Sequence, residues 1–170
     1  MTTAENYGRG RLVVVGQGYV GLPLAMRAVE VGYQVVGYDT DERRIKSLAA
    51  GESYIEDVTD AHLAAALASG RYRPADKAAA CAGFDVAVVT VPTPLKDGTP
   101  DLSYIEVSAQ TLARFIRPGS TVILESTTYP GTTTELVIPI LEEGSGLVAG
   151  DDFHVGYSPE RIDPGNPTFG

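Results

Sequence analysis

The sequence is poor in the residues that form disulfides and metal sites. Its 170 residues include one cysteine, Cys81, two histidines and no tryptophan. A single cysteine excludes an intrachain disulfide and fits a reducing compartment such as the cytoplasm. His62 and His154 add too few ligands for a structural zinc site, so we expect no metal.

Basic residues and long apolar runs are also scarce. Thirteen Lys and Arg against 22 Asp and Glu give a net charge of −9, which disfavours nucleic acid and anionic membranes as partners. No apolar run approaches the ~20 residues that a membrane-spanning helix needs, and no signal peptide is recognisable. We expect a cytoplasmic protein with a loose polar leader over 1–10 and one domain over 11–170.

The most informative pattern lies near the start of the chain. Four apolar residues, 12–15, predict a strand buried on both faces, and Gly16, Gly18 and Gly21 follow with G-x-G-x-x-G spacing. Apolar residues then recur at helical spacing up to Gly32, a predicted helix C-cap. Strand, glycine turn and helix in this order predict the first unit of a dinucleotide-binding fold.

Each glycine of this turn has a predicted physical role. Gly16 permits the turn, Gly18 lets backbone N–H groups approach a diphosphate, and Gly21 lets the helix pack closely on the strand. Tyr19 and Val20 complete the turn and are, with the glycines, predicted to bind the cofactor. We expect the phosphates at this helix N-terminus, where free N–H groups and the helix dipole favour negative charge.

An acidic residue follows the second predicted strand. Strand 34–38 ends at Asp39, about 18 residues past the last glycine and near the position of an acid that holds the adenosine ribose hydroxyls. Asp39 would repel a 2′-phosphate, which favours NAD over NADP, although Arg43 and Arg44 leave NADP open. Arg44 is also close enough to stack on adenine. The alternative is that Asp39 only caps a helix starting near Asp41.

The rest of the chain alternates helices and strands. Helices are predicted over 41–50, 59–69, 103–116 and 132–143, a helical turn over 76–82, and strands over 71–73, 85–91, 120–125 and 153–157. Ser103 and Glu106 fit one capping box, Thr132 and Glu135 another, and Pro74 limits its strand to a sheet edge. The alternation predicts an α/β fold of Rossmann type, doubly wound, with a mostly parallel sheet of about six strands and helices on both faces.

In such sheets, ligands bind beyond the carboxyl ends of the strands. This rule selects five places: 16–21, 39, 91–94, 126–127 and 158–161.

The motifs at these places resemble one family. They read Gly-Gln-Gly-Tyr-Val-Gly-Leu-Pro (16–23), Val-Pro-Thr-Pro (91–94), Glu-Ser-Thr-Thr-Tyr-Pro-Gly-Thr-Thr (125–133) and Tyr-Ser-Pro-Glu-Arg-Ile-Asp-Pro-Gly-Asn (157–166). Together they resemble the UDP-glucose/UDP-N-acetylmannosamine (nucleotide-sugar 6-) dehydrogenase family over about residues 11–170. The Ser-Pro-Glu-Arg form is more similar to the branch acting on UDP-N-acetylhexosamines than to the UDP-glucose branch.

The resemblance implies an activity and its cofactor. The family oxidises the C6 alcohol of a nucleotide sugar to a carboxylate, using two NAD⁺, two hydride transfers and a cysteine-linked thioester. It implies that Thr127 positions a catalytic water, that Glu160 assists proton transfer and thioester hydrolysis, and that Glu160 and Arg161 meet the UDP-sugar. The alternatives are that Thr127 is a turn residue, Glu160 a solvated loop acid, and Arg161 only a partner of Asp163.

The resemblance also implies the reactive end of the cofactor site. Val91, Pro92 and Thr93 would line the nicotinamide, and Ser126 and Thr127 its ribose. The alternative is that these residues only end a strand or form a turn.

The chain departs from the family pattern in what it lacks. The family's central linker helix, its second Rossmann-like domain and its Gly-Gly-x-Cys motif are not in this sequence, and Cys81 matches no nucleophile motif, so we expect a packed thiol. We therefore expect the cofactor-binding portion of a longer enzyme, a homodimer when full-length, which binds NAD without completing turnover. The alternatives are a non-catalytic NAD-sensing module or another Rossmann enzyme, although the Glu-Ser-Thr and Ser-Pro-Glu-Arg motifs argue against the latter.

Overall fold

A computed structural model describes residues 9–96 and 98–159 of the chain. Its eight strands are β1 (Arg9–Val15), β2 (Tyr33–Tyr38), β3 (Tyr72–Ala75), β4 (Val86–Val89), β5 (Leu95–Lys96), β6 (Thr99–Pro100), β7 (Thr121–Leu124) and β8 (His154–Tyr157). Six of them form one sheet in the order β3-β2-β1-β4-β7-β8, with every neighbouring pair parallel, while β5 and β6 form a separate antiparallel pair. The predicted fold is confirmed. Strand β1 includes residues 9 and 10, which the sequence assigned to the leader.

The helices connect the strands as the alternation predicted. They are α1 (Gly21–Glu30), α2 (Glu42–Ala49), α3 (Asp60–Ala68), α4 (Ser103–Ala113) and α5 (Ile138–Ser145), with a 3₁₀ turn at Ala78–Cys81 and a π-helical segment at Thr132–Val137. Among the helices that the structure describes, none is long and apolar enough to cross a membrane.

Two apolar cores lie on opposite faces of the sheet. Strand β1 serves both, because successive side chains point to opposite faces: Val14 packs with α1 to α3, and Val13 with α4 and α5. Both side chains are fully buried, and each burial contributes roughly 1.5–3 kcal/mol relative to exposure. Cys81 is buried in the second core as a free thiol, which confirms its predicted packing role.

Two predicted capping boxes are wrong. Leu102 takes the N-cap position of α4, and the carboxylate of Asp101 accepts a hydrogen bond from the Ser103 N–H at 3.0 Å, so Ser103 is the first helical residue and not the cap. At the other site Gly131 takes the N-cap position with φ 97°, and Thr132 donates its hydroxyl proton to the carbonyl of Tyr129. The predicted helix over 132–143 is therefore a π-helical segment followed by α5.

The strands of the sheet end level with one another. Val15 lies opposite both Tyr38 and Val89, Val89 lies opposite Leu124, and Leu124 lies opposite Tyr157. The residues that come next therefore share one row at the carboxyl edge: Gly16, Asp39, Thr90, Glu125 and Ser158. This row is the base of the candidate site.

Candidate functional site

The three glycines of the first turn meet different steric demands. Gly16 has φ +92°, a left-handed backbone that favours glycine. A Cβ at Gly21 would overlap the carbonyl oxygen of Gly16, so α1 packs on the turn only with glycine there. A Cβ at Gly18 would meet nothing within 4 Å. The turn and packing roles are confirmed, and open space lies beside Gly18, where the diphosphate is predicted.

The turn presents backbone N–H groups to this space. Within residues 9–96 and 98–159, no acceptor takes the N–H groups of Gly18, Tyr19 and Val20, and α1 has no side-chain cap there. The carbonyl oxygens of the turn are bound on the other side, since the Thr90 hydroxyl lies 2.9 Å from that of Val15 and 3.0 Å from that of Gly16. Unbonded N–H groups at a helix N-terminus favour an anion.

Asp39 lies at the end of β2 and is only 8% exposed. Its two oxygens accept hydrogen bonds from the N–H groups of Gln17 and Asp41, each at 2.9 Å, and Arg44 lies 3.5 Å away. Helix α2 is capped by Asp41, which accepts from the Arg43 N–H at 2.9 Å. The alternative in which Asp39 caps this helix is therefore wrong. Asp39 instead ties the end of β2 to the glycine turn.

Arg44 is held at the mouth of the site. Its guanidinium lies 5.8 Å from the centroid of the Tyr54 ring, and the Tyr54 hydroxyl donates to the carbonyl of Gln17 at 2.6 Å. Burial, reinforced by the nearby Asp39 charge, raises the pKa of Tyr54 to about 12. Tyr54 was not predicted as a site residue, because a lone aromatic residue in a predicted loop carries no local signal.

A cleft of about 860 Å³ runs along this edge, within the size range of small-molecule sites. Every predicted cofactor residue except Gly21 lines it: Gly16, Gly18, Tyr19, Val20, Asp39, Arg44, Val91, Pro92, Thr93, Ser126 and Thr127. Gly21 is buried beside Gly16 and acts through packing. Their assignment to particular parts of a cofactor stays a prediction.

The loops that follow β4 and β7 are bonded to each other at the far end of the cleft. Thr93 donates its hydroxyl proton to the carbonyl of Thr127 at 2.6 Å, and Ser126 donates to the carbonyl of Val91 at 2.8 Å. The Ser126 hydroxyl is thus engaged as a donor and faces a ligand only as an acceptor. The Thr127 residue is exposed.

The second wall of the cleft was not predicted. It is formed by α4 residues, Ser103, Tyr104, Val107, Ser108 and Thr111, and it meets Thr90 and Glu125 of the row at the carboxyl edge, which follow β4 and β7. The apolar face of α4, which includes Ile105 and Leu112, is buried in the core and is the clearer pattern in the sequence. The wall residues recur three to four positions apart on another face, which is the signal that could have found them.

The last of the five predicted places is only partly described. Ser158 follows β8, and its N–H donates to the carbonyl of Leu124 at 3.0 Å. Glu160 and Arg161, the predicted catalytic acid and substrate contact, lie outside the described residues.

Comparison with known families identifies the kind of domain that contains this cleft. Residues 10–169 match the model of the UDP-glucose/GDP-mannose dehydrogenase family, NAD binding domain. The chain belongs to this family. The resemblance drawn from the four sequence motifs is confirmed, and NAD is the cofactor of the domain.

Individual relatives agree with the family match. UDP-N-acetyl-D-mannosamine dehydrogenase of Pyrococcus horikoshii is 41% identical over 156 residues, 91% of this chain and 37% of the relative. A solved structure of UDP-D-ManNAc dehydrogenase from that organism has a TM-score of 0.87 over the same shares. UDP-N-acetyl-D-glucosamine 6-dehydrogenase of Pseudomonas aeruginosa is 41% identical over 92% of this chain and 36% of the relative.

A more distant solved structure supports the same fold. The ternary complex of GDP-mannose dehydrogenase from Pseudomonas aeruginosa is 35% identical, with a TM-score of 0.85 over 91% of this chain and 37% of that one. The present chain therefore spans just over a third of the length of these relatives.

Proposed function

We propose that this chain is the NAD-binding portion of a nucleotide-sugar 6-dehydrogenase. The whole enzyme oxidises the C6 alcohol of a UDP-sugar, a UDP-N-acetylhexosamine or UDP-glucose, to the uronic acid with two NAD⁺. The observation that carries the proposal is one cleft that joins the carboxylate of Asp39 to amides at residues 18–20, which have no acceptor in the described part of the chain. Two relatives at 41% identity are named for UDP-N-acetylhexosamine substrates, whereas GDP-mannose 6-dehydrogenases match at 36%.

The adenosine half of NAD fits the residues at the first turn. The N–H groups of Gly18, Tyr19 and Val20 receive the diphosphate, which the helix dipole also favours in a chain of net charge −9. Asp39 accepts the ribose hydroxyls, and its negative charge disfavours a 2′-phosphate. Arg44 stacks on adenine beside Tyr54.

The other end of the cleft holds the reacting groups. When bound, NAD⁺ supplies the hydride acceptor for alcohol oxidation. The bond between Thr93 and the carbonyl of Thr127 fixes the two loops there, and the exposed Thr127 side chain positions a water. Glu160 acts as the acid and base, a role that carboxylates commonly take in proton transfer, and Arg161 binds the sugar or a phosphate.

The test uses the complete gene product and a panel of UDP-sugars, with GDP-mannose as comparison. We expect NADH formation with a UDP-sugar, two NADH for each sugar oxidised, and loss of turnover in Glu160→Gln. The 170-residue chain alone should bind NAD by calorimetry and form no NADH. Absence of NADH with every nucleotide sugar, or absence of NAD binding, would contradict the proposal.

The proposal extends to the setting of the enzyme. We expect the full-length enzyme to be a cytoplasmic homodimer with no nucleic-acid or membrane partner. Light scattering on the complete gene product, with and without NAD, tests the dimer directly.

A further inference from the structure

Gln17 stands between the first two glycines of the turn, and its side chain is fully buried. Its amide nitrogen donates to the carbonyl oxygens of Val14 and Gly16, at 3.0 and 3.1 Å. Its amide oxygen accepts from the Tyr72 hydroxyl at 2.8 Å. A buried amide with partners on both ends is a fixed structural tie, since leaving either end unpaired costs about 1–3 kcal/mol.

The sheet leaves room for the side chains of Gln17 and Tyr72 to meet. Gly37 lies on β2 opposite Val14, and its φ is outside the left-handed region, so its backbone alone does not require glycine. A Cβ there would lie 2.6 Å from the Tyr72 hydroxyl oxygen and would overlap the amide oxygen of Gln17. The absence of a side chain on β2 thus lets Tyr72, on β3, reach Gln17 at the end of β1.

The hydrogen bonds of the Gln17 side chain help to determine which polar groups of the turn face the cleft. The amide of Gln17 binds the carbonyls of Val14 and Gly16, Thr90 binds those of Val15 and Gly16, and Tyr54 binds that of Gln17 itself. The carbonyl oxygens of residues 14–17 are therefore held by protein groups. A carbonyl turned toward the cleft would repel a diphosphate, whereas the N–H groups of residues 18–20 attract it.

Both tyrosines stay donors at neutral pH. Burial raises the pKa of Tyr72 and of Tyr54, so each keeps its hydroxyl proton. The hydrogen bonds that hold Gln17 therefore do not depend on pH in the physiological range.

We propose that Gln17 is a positioning residue for the cofactor diphosphate, with Tyr72 as its anchor. Its side chain does not line the cleft and acts by fixing the direction of the turn's carbonyl and N–H groups. This inference rests on the NAD binding proposed above.

The test compares ligands that share adenosine but differ in phosphate. Gln17→Leu and Tyr72→Phe are each titrated with NAD and ADP by calorimetry and with adenosine by NMR. Losing one buried hydrogen-bonded group should weaken NAD and ADP about tenfold in Gln17→Leu. Adenosine affinity should change by less than about twofold, because Asp39 is held by the backbone N–H of Gln17, which the substitution keeps.

Tyr72→Phe should also weaken NAD and ADP relative to adenosine, by a smaller factor than Gln17→Leu, because Gln17 then keeps both of its donated hydrogen bonds. If Gln17→Leu does not fold, the affinities of Tyr72→Phe for NAD, ADP and adenosine test the inference. Tyr33→Phe is the matched control: it removes a hydroxyl that has no hydrogen-bond partner among the described residues, from a ring packed on the same core. All three ligands should bind this control like the parent chain.

Two results would overturn the inference. One is unchanged NAD and ADP affinity in a folded Gln17→Leu and in Tyr72→Phe. The other is an equal loss for adenosine and ADP, which would indicate general damage to the domain. Failure of the parent chain to bind NAD would instead contradict the proposed function.

Discussion

Gly18 and Gly21 lie three residues apart, yet alanine should affect them in opposite ways. At Gly18 a Cβ meets no protein atom within 4 Å, whereas at Gly21 it overlaps the Gly16 carbonyl oxygen. The open space beside Gly18 is where the account places the diphosphate. Gly18→Ala should therefore impair NAD binding without loss of stability, and Gly21→Ala should impair stability itself.

The structure gives a magnitude for each change. Overpacking at Gly21 costs about 1–3 kcal/mol, and helix propensity offsets little of it because Gly21 is the first residue of α1 and not an interior position. At about 2–4 °C per kcal/mol for a domain of this size, the Tm of Gly21→Ala should fall by about 5 °C. Gly18→Ala should hold or slightly raise the Tm, because alanine lowers the entropy of the unfolded chain. A methyl group placed against the diphosphate should weaken NAD by about tenfold to a hundredfold.

Thermal unfolding without ligand and calorimetric titration with NAD separate the two effects. Adenosine serves as a control ligand, since Gly18→Ala should bind it normally. Parent-like NAD affinity in Gly18→Ala would refute the placement of the diphosphate. A parent-like Tm in Gly21→Ala would refute the packing argument.

Three further predictions concern the acid, the buried thiol and a buried phenol. Asp39→Asn keeps only one oxygen to accept from the N–H groups of Gln17 and Asp41, and it removes the negative charge. NAD should therefore bind about tenfold more weakly, and the preference for NAD over NADP should become smaller. An unchanged ratio of the two affinities in calorimetry would contradict this. Burial raises the pKa of Cys81 to about 11, so a disulfide reagent at mildly alkaline pH should label it slowly in the folded chain and rapidly in denaturant; equal rates would show that the thiol is not packed. The pKa of Tyr54 is about 12 in the folded state against an ordinary 10, so the unfolded chain loses this proton first and stability should fall as pH rises from 10 to 12. Tyr54→Phe should make that fall less steep in denaturant titrations without abolishing it, because Tyr72 and Cys81 also have raised pKa values; an identical slope would count against the prediction.

The sequence predicted the fold well because its signals are local. Continuous apolar runs such as 12–15 identify central parallel strands, and Gly32 and Gly70 mark helix ends with left-handed backbones, φ +101° and +70°. The two capping boxes failed because a Ser or Thr three residues before a Glu does not by itself show which residue takes the N-cap position. Asp101 takes the N–H at α4, and Gly131 starts the later helix without any side-chain cap.

Site residues with a local sequence signal were predicted, and those that depend on long-range contacts were not. Residues that follow strands, such as Asp39 and Thr127, were found because the strand ends are visible in the sequence. The contacts of Gln17 with Tyr72, 55 residues away, and with Tyr54, 37 residues away, were not predicted, because these residues meet only in the folded chain: Tyr72 lies on β3, and Tyr54 lies between α2 and α3. Long-range polar pairs of this kind leave no periodic signal.

The most direct test of the account is a crystal structure of this chain with NAD. The diphosphate should contact the backbone N–H groups of Gly18, Tyr19 and Val20, with the adenosine ribose on the carboxylate of Asp39 and the nicotinamide toward Thr93 and Thr127. Density for NAD at any other place on the sheet, or a diphosphate that leaves those N–H groups unbonded, would contradict it.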